Sequence, residues 1–580
     1  MKLMKPHTAF FPNLLLTALT AGLLFTMVAA TIAKDHVLTI GGGYSPSGNQ
    51  ISLERNVVFF RKLLGEQLPQ ATARDIFFAD GNSENADLQY VPEKSDVPKA
   101  NRIAAMLFGR EDYLELKYRN AELGKVNGAS SPGNIEKWFK ETGSQLKPGD
   151  RLILYVTAHG GPGRQKDNPH NTKLFMWNGT SIDAATLAGH IKTLPEGVSV
   201  FTVMVQCYSG GFSHLIFNEN NAKKGDSERD ICGFYSTVHN RVAAGCTPDI
   251  NEENYDEYSS HFWAALRGKS RIDKSVESAD YDGSGEVSFE EAHAFAVLVS
   301  KNLDVPVKTS DAYLRAHSRL QKPAKKAEDS KSKEKEKPED QAKDTDKEKV
   351  EDDDKAKANA KAKAKAKALS EERENEKHLL SRQTPYFKLL SLARPVELAT
   401  LEGLTGQLGL KGNGRIKKAE EAATAIEKER KDLANKEKDL KKQYESAKKA
   451  LRTDLRNRWP DLSNTLSPGA VRLLTSDAGE FVKAAESHEK FKDLTKLFKD
   501  HKEIEDKRFE LDKKWAWHQR FLRAVDNIAL AANLPRVADK NVVARYQRLL
   551  DAESTSLRSP LGSPPVISEG TKTEAKEAGS

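Results

Sequence analysis

The 580-residue chain holds only three cysteines and no Cys-x-x-Cys pair. That excludes a disulfide framework, a zinc ribbon and a thioredoxin-like redox motif, so each thiol has to be judged singly. Only one apolar run approaches membrane-spanning length, and it lies at the start of the chain. Aromatic residues make up 7% and apolar residues 38%, against 30% charged, so some segments are too polar to pack while others carry an ordinary core. The net charge of +7 is small beside 91 basic and 84 acidic residues, and no nucleic-acid partner is expected from it. At roughly 100 to 200 residues per domain, the length exceeds what one core accounts for.

Lys2 and Lys5 precede the apolar run Leu14 to Ala30, which ends in the small-residue patterns Val28-Ala29-Ala30 and Thr31-Ile32-Ala33. Residues 1–33 therefore read as a secretory signal peptide, and the expected location is secreted or periplasmic. Left uncleaved, the segment from Phe10 to Ala33 would anchor the chain in a membrane. The boundary has no cysteine for a bacterial lipid anchor.

From residue 35 to about 320, short β-branched or aromatic runs alternate with amphipathic helical patterns. Val37 to Ile40, Ile76 to Ala79, Leu152 to Thr157, Val198 to Val205 and Ile231 to Thr237 read as strands, and Leu53 to Leu64 and Ile135 to Thr142 as helices. Nearly continuous apolar strands separated by helices predict an α/β domain, with a mostly parallel sheet covered on both faces. Residues 322–368 hold 16 Lys and 13 acidic residues in 47 positions, with Val350 as the only apolar side chain larger than alanine or proline. Such a stretch buries too little to offset its chain entropy and reads as a solvated linker.

Helical periodicity returns over residues 376–552. Ile426, Leu433 and Leu440 recur at seven, and Phe491, Leu494, Phe498, His501 and Ile504 at three and four, with Pro460, Pro468 and Gly469 between the two stretches. An antiparallel helical hairpin is expected, available for self-association. Residues 553–580 read as a disordered tail.

Two strand ends carry chemistry. The run Leu152 to Thr157 stops at Ala158-His159-Gly160-Gly161, and the run Val200 to Val205 stops at Gln206-Cys207-Tyr208-Ser209-Gly210-Gly211. Ligands bind outside the carboxyl ends of parallel strands, so an imidazole and a thiol leaving neighbouring strands there share one crevice. A thiolate nucleophile needs a base beside it and donors for the oxyanion, and glycines let backbone N–H groups approach. Cys232 and Cys246 can pair in an oxidising compartment, leaving Cys207 free.

This pattern, with 48 positions from His159 to Cys207, resembles the caspase, legumain and gingipain superfamily of cysteine peptidases over residues 37–296. The resemblance implies a thiol-dependent endopeptidase acting on protein or peptide substrates and competent for transpeptidation. His159 would be its proton-transfer residue and Cys207 its nucleophile, with the N–H groups of Gly160 and Cys207 as oxyanion hole. Gln206 directly precedes the cysteine, where caspases place glutamine two before it, and Val205 stands where legumains have an acid. The resemblance thus carries the chemistry and not the preferred residue. The glycine-rich run Gly41 to Gln50 lacks the Lys-Ser or Lys-Thr of a phosphate loop. By resemblance to legumains, Ser47 and Asn49 line the substrate pocket, unless they simply cap the next helix, and Ser236 belongs to a second pocket-forming segment. A catalytically silent envelope adaptor, working through its coiled hairpin, is the alternative.

Residues 280–291, Asp-Tyr-Asp-Gly-Ser-Gly-Glu-Val-Ser-Phe-Glu-Glu, read as an EF-hand calcium loop. Asp280, Asp282, Ser284, Glu286, Ser288 and Glu291 are the candidate ligand positions, with Gly285 at the sharp turn. Three strong carboxylates suit modest affinity, and the lack of a second such loop suits a structural Ca2+ clamp.

Overall fold

The computed structural model describes residues 33–71, 73–321 and 378–559. The expected signal segment, the charged linker and the tail beyond residue 559 lie outside the described residues. Among the described residues, no helix is long and apolar enough to cross a membrane.

The strands are β1 (Asp35–Gly42), β2 (Ala73–Phe78), β3 (Leu88–Tyr90), β4 (Lys117–Arg119), β5 (Arg151–Ala158), β6 (Gly160–Gly161), β7 (Lys173–Met176), β8 (Thr180–Asp183), β9 (Ser199–Met204), β10 (Ile231–Tyr235) and β11 (Val307–Lys308). Six of them form one sheet in the order β2-β1-β5-β9-β10-β11. All its pairings are parallel except the last, β10 with β11. Strand β5 is central and every one of its eight residues is buried, in keeping with its apolar run Leu152 to Val156.

Alternate side chains feed two cores. Leu38, Ile40, Leu152, Leu154 and Val156 pack on one face, against α3 (Pro132–Glu141), α4 (Ala184–Lys192) and α7 (Thr309–His317). Val37, Ile153, Tyr155, Phe201 and Val203 pack on the other, against α1 (Ile51–Gln67), α5 (Tyr258–Arg267) and α6 (Phe289–Val299). The five anticipated strands and two anticipated helices are all present, shifted by a few residues at their ends.

The C-terminal half is helical. Helices α10 (Arg415–Arg458) and α13 (Glu489–Val537) form the expected antiparallel hairpin. It does not stand apart from the α/β unit. Leu530 and Leu534 of α13, with Tyr546, Leu549 and Leu550 of α14 (Lys540–Glu553), complete the first core. Buried Arg520 donates to the carbonyls of Val297, Ser300, Asn302 and Asp304. Residues 554–559, expected within the disordered tail, are also packed: Arg151 donates to the carbonyls of Ser556 and Leu557 at 3.2 and 3.0 Å, and Leu557 is buried. The guanidinium below the sheet gives this segment its anchor.

Candidate active site

Strands β5 and β9 are adjacent and parallel, with Val156 opposite Met204. His159 and Cys207 each lie three residues beyond that pair, so one register brings them to the same edge with the same side-chain parity. The Val205 N–H still donates to the Val156 carbonyl at 3.0 Å. Beyond it the two chains nearly touch: a Cβ on Gly160 would lie 2.0 Å from the Cys207 carbonyl oxygen and 2.8 Å from Gln206 Cγ. Only glycine fits there. The substitution Gly160→Ala is expected to push Cys207 out of position, costing about 1–3 kcal/mol of stability, to be read by urea titration.

The His159 ring is oriented by the loop after β1. Its Nε2 lies 2.8 Å from the Gly48 carbonyl and 2.9 Å from Gln50 Oε1. A carbonyl can only accept, so Nε2 carries the hydrogen and Nδ1 keeps its lone pair. The Tyr44 ring meets His159 edge-on, with 5.2 Å between centroids. Burial holds this imidazole below the usual histidine pKa, although the Gly48 carbonyl opposes the shift.

Cys207 is half-buried, and its Sγ accepts from the Ala243 N–H at 3.3 Å. Burial pushes the thiol pKa up, with the neighbouring Asp304 charge adding to it and the Ala243 amide opposing. The resting pair is therefore a neutral thiol and a neutral imidazole, with no hydrogen bond between them in the free protein. Among the described residues the Cys207 N–H has no backbone carbonyl partner, which leaves it available to an incoming oxygen. Tyr208 takes a left-handed φ of 61°, turning the chain sharply behind the sulfur. Residues 237–243 run alongside: Tyr208 donates to the Arg241 carbonyl at 2.8 Å and Gly210 to that of Thr237 at 2.7 Å. Arg241 is itself held by Asp512 of α13 at 3.3 Å and by the Trp515 ring.

The candidate pocket residues fare unevenly. Ser47 is exposed, its Oγ 3.1 Å from that of Ser45. Asn49 is buried instead of lining a cleft: Oδ1 accepts from the Gly43 N–H at 2.9 Å and Nδ2 donates to Asp87 at 3.0 Å, tying the loop together. Ser236 is also buried, bonded to Ser209 at 3.1 Å. Neither Ser47 nor Asn49 caps α1, whose N-cap is Gln50. Cys232 and Cys246 are free thiols rather than a pair; Cys232 is on β10 and points into the second core, and Cys246 packs against a separate cluster beside α1 and β2. Sequence reasoning missed Gln50, Ala243 and Asp304. The last two lie far from Cys207 along the chain, with no local pattern to mark them.

The acidic loop is entered from irregular chain and leads into α6. Gly285, at φ +90°, donates to Asp280 at 3.0 Å, and Ser284 to Asp282 at 2.9 Å. Oxygens of Asp280, Asp282 and Glu291 lie within 4.8 Å of one another. Asp280 Oδ1 is buried without a hydrogen-bond partner, which suits a cation. Glu291 accepts from the N–H groups of Tyr281, Asp282 and Ser288, and Ser288 caps α6 in a reciprocal box with it. The Ser284 hydroxyl donates to the Glu286 carbonyl, while the Glu286 side chain accepts from Ser556 at 2.7 Å. The Glu286 side chain is thus engaged by Ser556 and is not among the three carboxylates that lie together.

No protein-family model matches the chain, and no curated protein matches it in sequence. Among solved structures it is similar to protein GSU0716 from Geobacter sulfurreducens, at 10% identity and a TM-score of 0.25, over 45% of this chain and 88% of that one.

Proposed function

We propose that the α/β unit is an exported cysteine endopeptidase of the caspase and legumain type, with Cys207 as nucleophile and His159 as general base. The observation that carries this is the register of β5 and β9, which presses Gly160 against Cys207 at the carboxyl edge of the sheet. His159 Nδ1 takes the thiol proton as Sγ bonds to the scissile carbonyl carbon, and the N–H groups of Gly160 and Cys207 receive the oxyanion. Collapse breaks the C–N bond, and the imidazolium gives its proton to the leaving amine. Water, deprotonated by His159, then releases the acid from the thioester; an amine in its place gives transpeptidation. An internally quenched peptide library should be cleaved by the wild-type protein and left intact by Cys207→Ala. Absence of turnover across the library would favour a scaffold acting through the hairpin.

A calcium ion in the acidic loop would be held by Asp280, Asp282 and Glu291, whose oxygens lie within 4.8 Å of one another, and its contribution would be structural. Saturating Ca2+, at about 100 times its Kd, should stabilise the fold by about 2.7 kcal/mol. The melting temperature should rise accordingly, and Glu291→Gln should remove most of the rise.

A further inference from the structure

Where α13 crosses the α/β unit, a cavity of about 380 Å³ is walled by three histidines and two arginines. The His170 and His214 rings stack with centroids 3.6 Å apart at 16°, and His239 lies 4.0 Å from His170. None of the three rings hydrogen-bonds a protein group among the described residues, and His170 Nδ1 is buried without a partner. Burial keeps all three neutral, with His170 lowered to about 4.

Arg523, on α13, faces the same space. Among the described residues its guanidinium has neither an ion pair nor a hydrogen bond, and its Nε is buried. Arg315 uses one terminal nitrogen, on the Asp311 carbonyl at 3.0 Å and on Asn527 at 2.7 Å. The one carboxylate on the wall, Asp311, already accepts from Asn527 Nδ2 at 2.7 Å and from the Lys308 N–H at 3.3 Å. The wall is thus rich in donors and short of acceptors. Arg523 is half-buried and Arg315 exposed, but the Arg523 Nε is shut off from water without an acceptor, and the group that would satisfy it is one that brings oxygen lone pairs.

A metal ion does not fit. The His170 and His214 rings meet face to face and His239 lies tilted at 46° to His170, and two guanidinium groups would repel a cation. We propose that this cavity binds a small oxyanion, a carboxylate or a phosphate, held by Arg523 and Arg315 with the histidines as further donors. The site would report to the candidate active centre: Gly210 and residues 238–240 line it, and the same strip fastens Tyr208 and the Cys207 sulfur.

The test is calorimetric titration of the full-length protein at fixed ionic strength, with inorganic phosphate in one arm and succinate in the other. One saturable site is expected for at least one of them, with affinity falling at least about tenfold, or 1.4 kcal/mol, in Arg523→Met. Heat from phosphate alone assigns a phosphoryl ligand, and heat from succinate alone a carboxylate. If Arg523→Met does not fold by circular dichroism, His214→Gln provides the comparison. No saturable heat from either anion at millimolar concentration, or equal affinity in the folded variant, would overturn the proposal.

Discussion

Cys207→Ala is expected to reduce peptide hydrolysis to background, and His159→Ala to lower it by about 100- to 10,000-fold. The difference follows from their roles. In the proposed mechanism no acyl-enzyme forms without the sulfur, whereas without the imidazole a few thiols still ionise through solvent. The environment sets the pH dependence. Burial lowers the His159 pKa and raises that of Cys207, so both are neutral at rest. The proposed mechanism requires the neutral ring, and a depressed pKa keeps it neutral further into acid. The acid limb of the rate profile should therefore fall below about pH 6.5, the unperturbed histidine value. An acid midpoint above that value would mean that a carboxylate, rather than burial, governs the ring.

Lys308→Met should destabilise the protein by about 3–5 kcal/mol, because it leaves buried carboxylates without their cation. Lys308 Nζ lies 2.5 Å from Glu290 and 2.8 Å from Glu553, and Arg394 adds a second contact to Glu290 at 2.8 Å. The Glu290 and Glu553 side chains are 3% and 0% exposed, so solvent does little to replace the lost charge. The network joins α6 and β11 to the helical half through Arg394 and Glu553, which makes the two halves one cooperative unit. Lys308 and Arg394 hold the Glu290 carboxylate well below its ordinary pKa against the opposing effect of burial. A depressed carboxylate stabilises the fold above its unfolded pKa, near 4.3, and that contribution is lost as pH falls. Urea titration at neutral pH should show a lowered midpoint for Lys308→Met, partly restored by adding Glu553→Gln. A change under about 1 kcal/mol would place the network in effective contact with water.

β5 and β9 are legible in the sequence because apolar runs of that length have few alternatives, whereas their register is set only in the folded sheet. His159 and Cys207 stood out as polar residues at the ends of such runs, beside glycines. Asn49 and Ser236, named as pocket residues by resemblance to legumains, are buried here by loop closure and by a serine pair. Gln50 and Ala243 were invisible, since they reach the pair through tertiary contacts made 109 and 36 residues away. The heptads announced the hairpin but not its docking, which depends on single residues such as Arg520 and Glu553.

The central claim, that one sulfur and one imidazole act together, is tested most directly by an acyloxymethyl-ketone probe read by intact-protein mass and peptide mapping. A single adduct on Cys207 is predicted, formed by the folded wild type and lost in His159→Ala. Equal labelling of Cys207 in both proteins, or none in either, would contradict it.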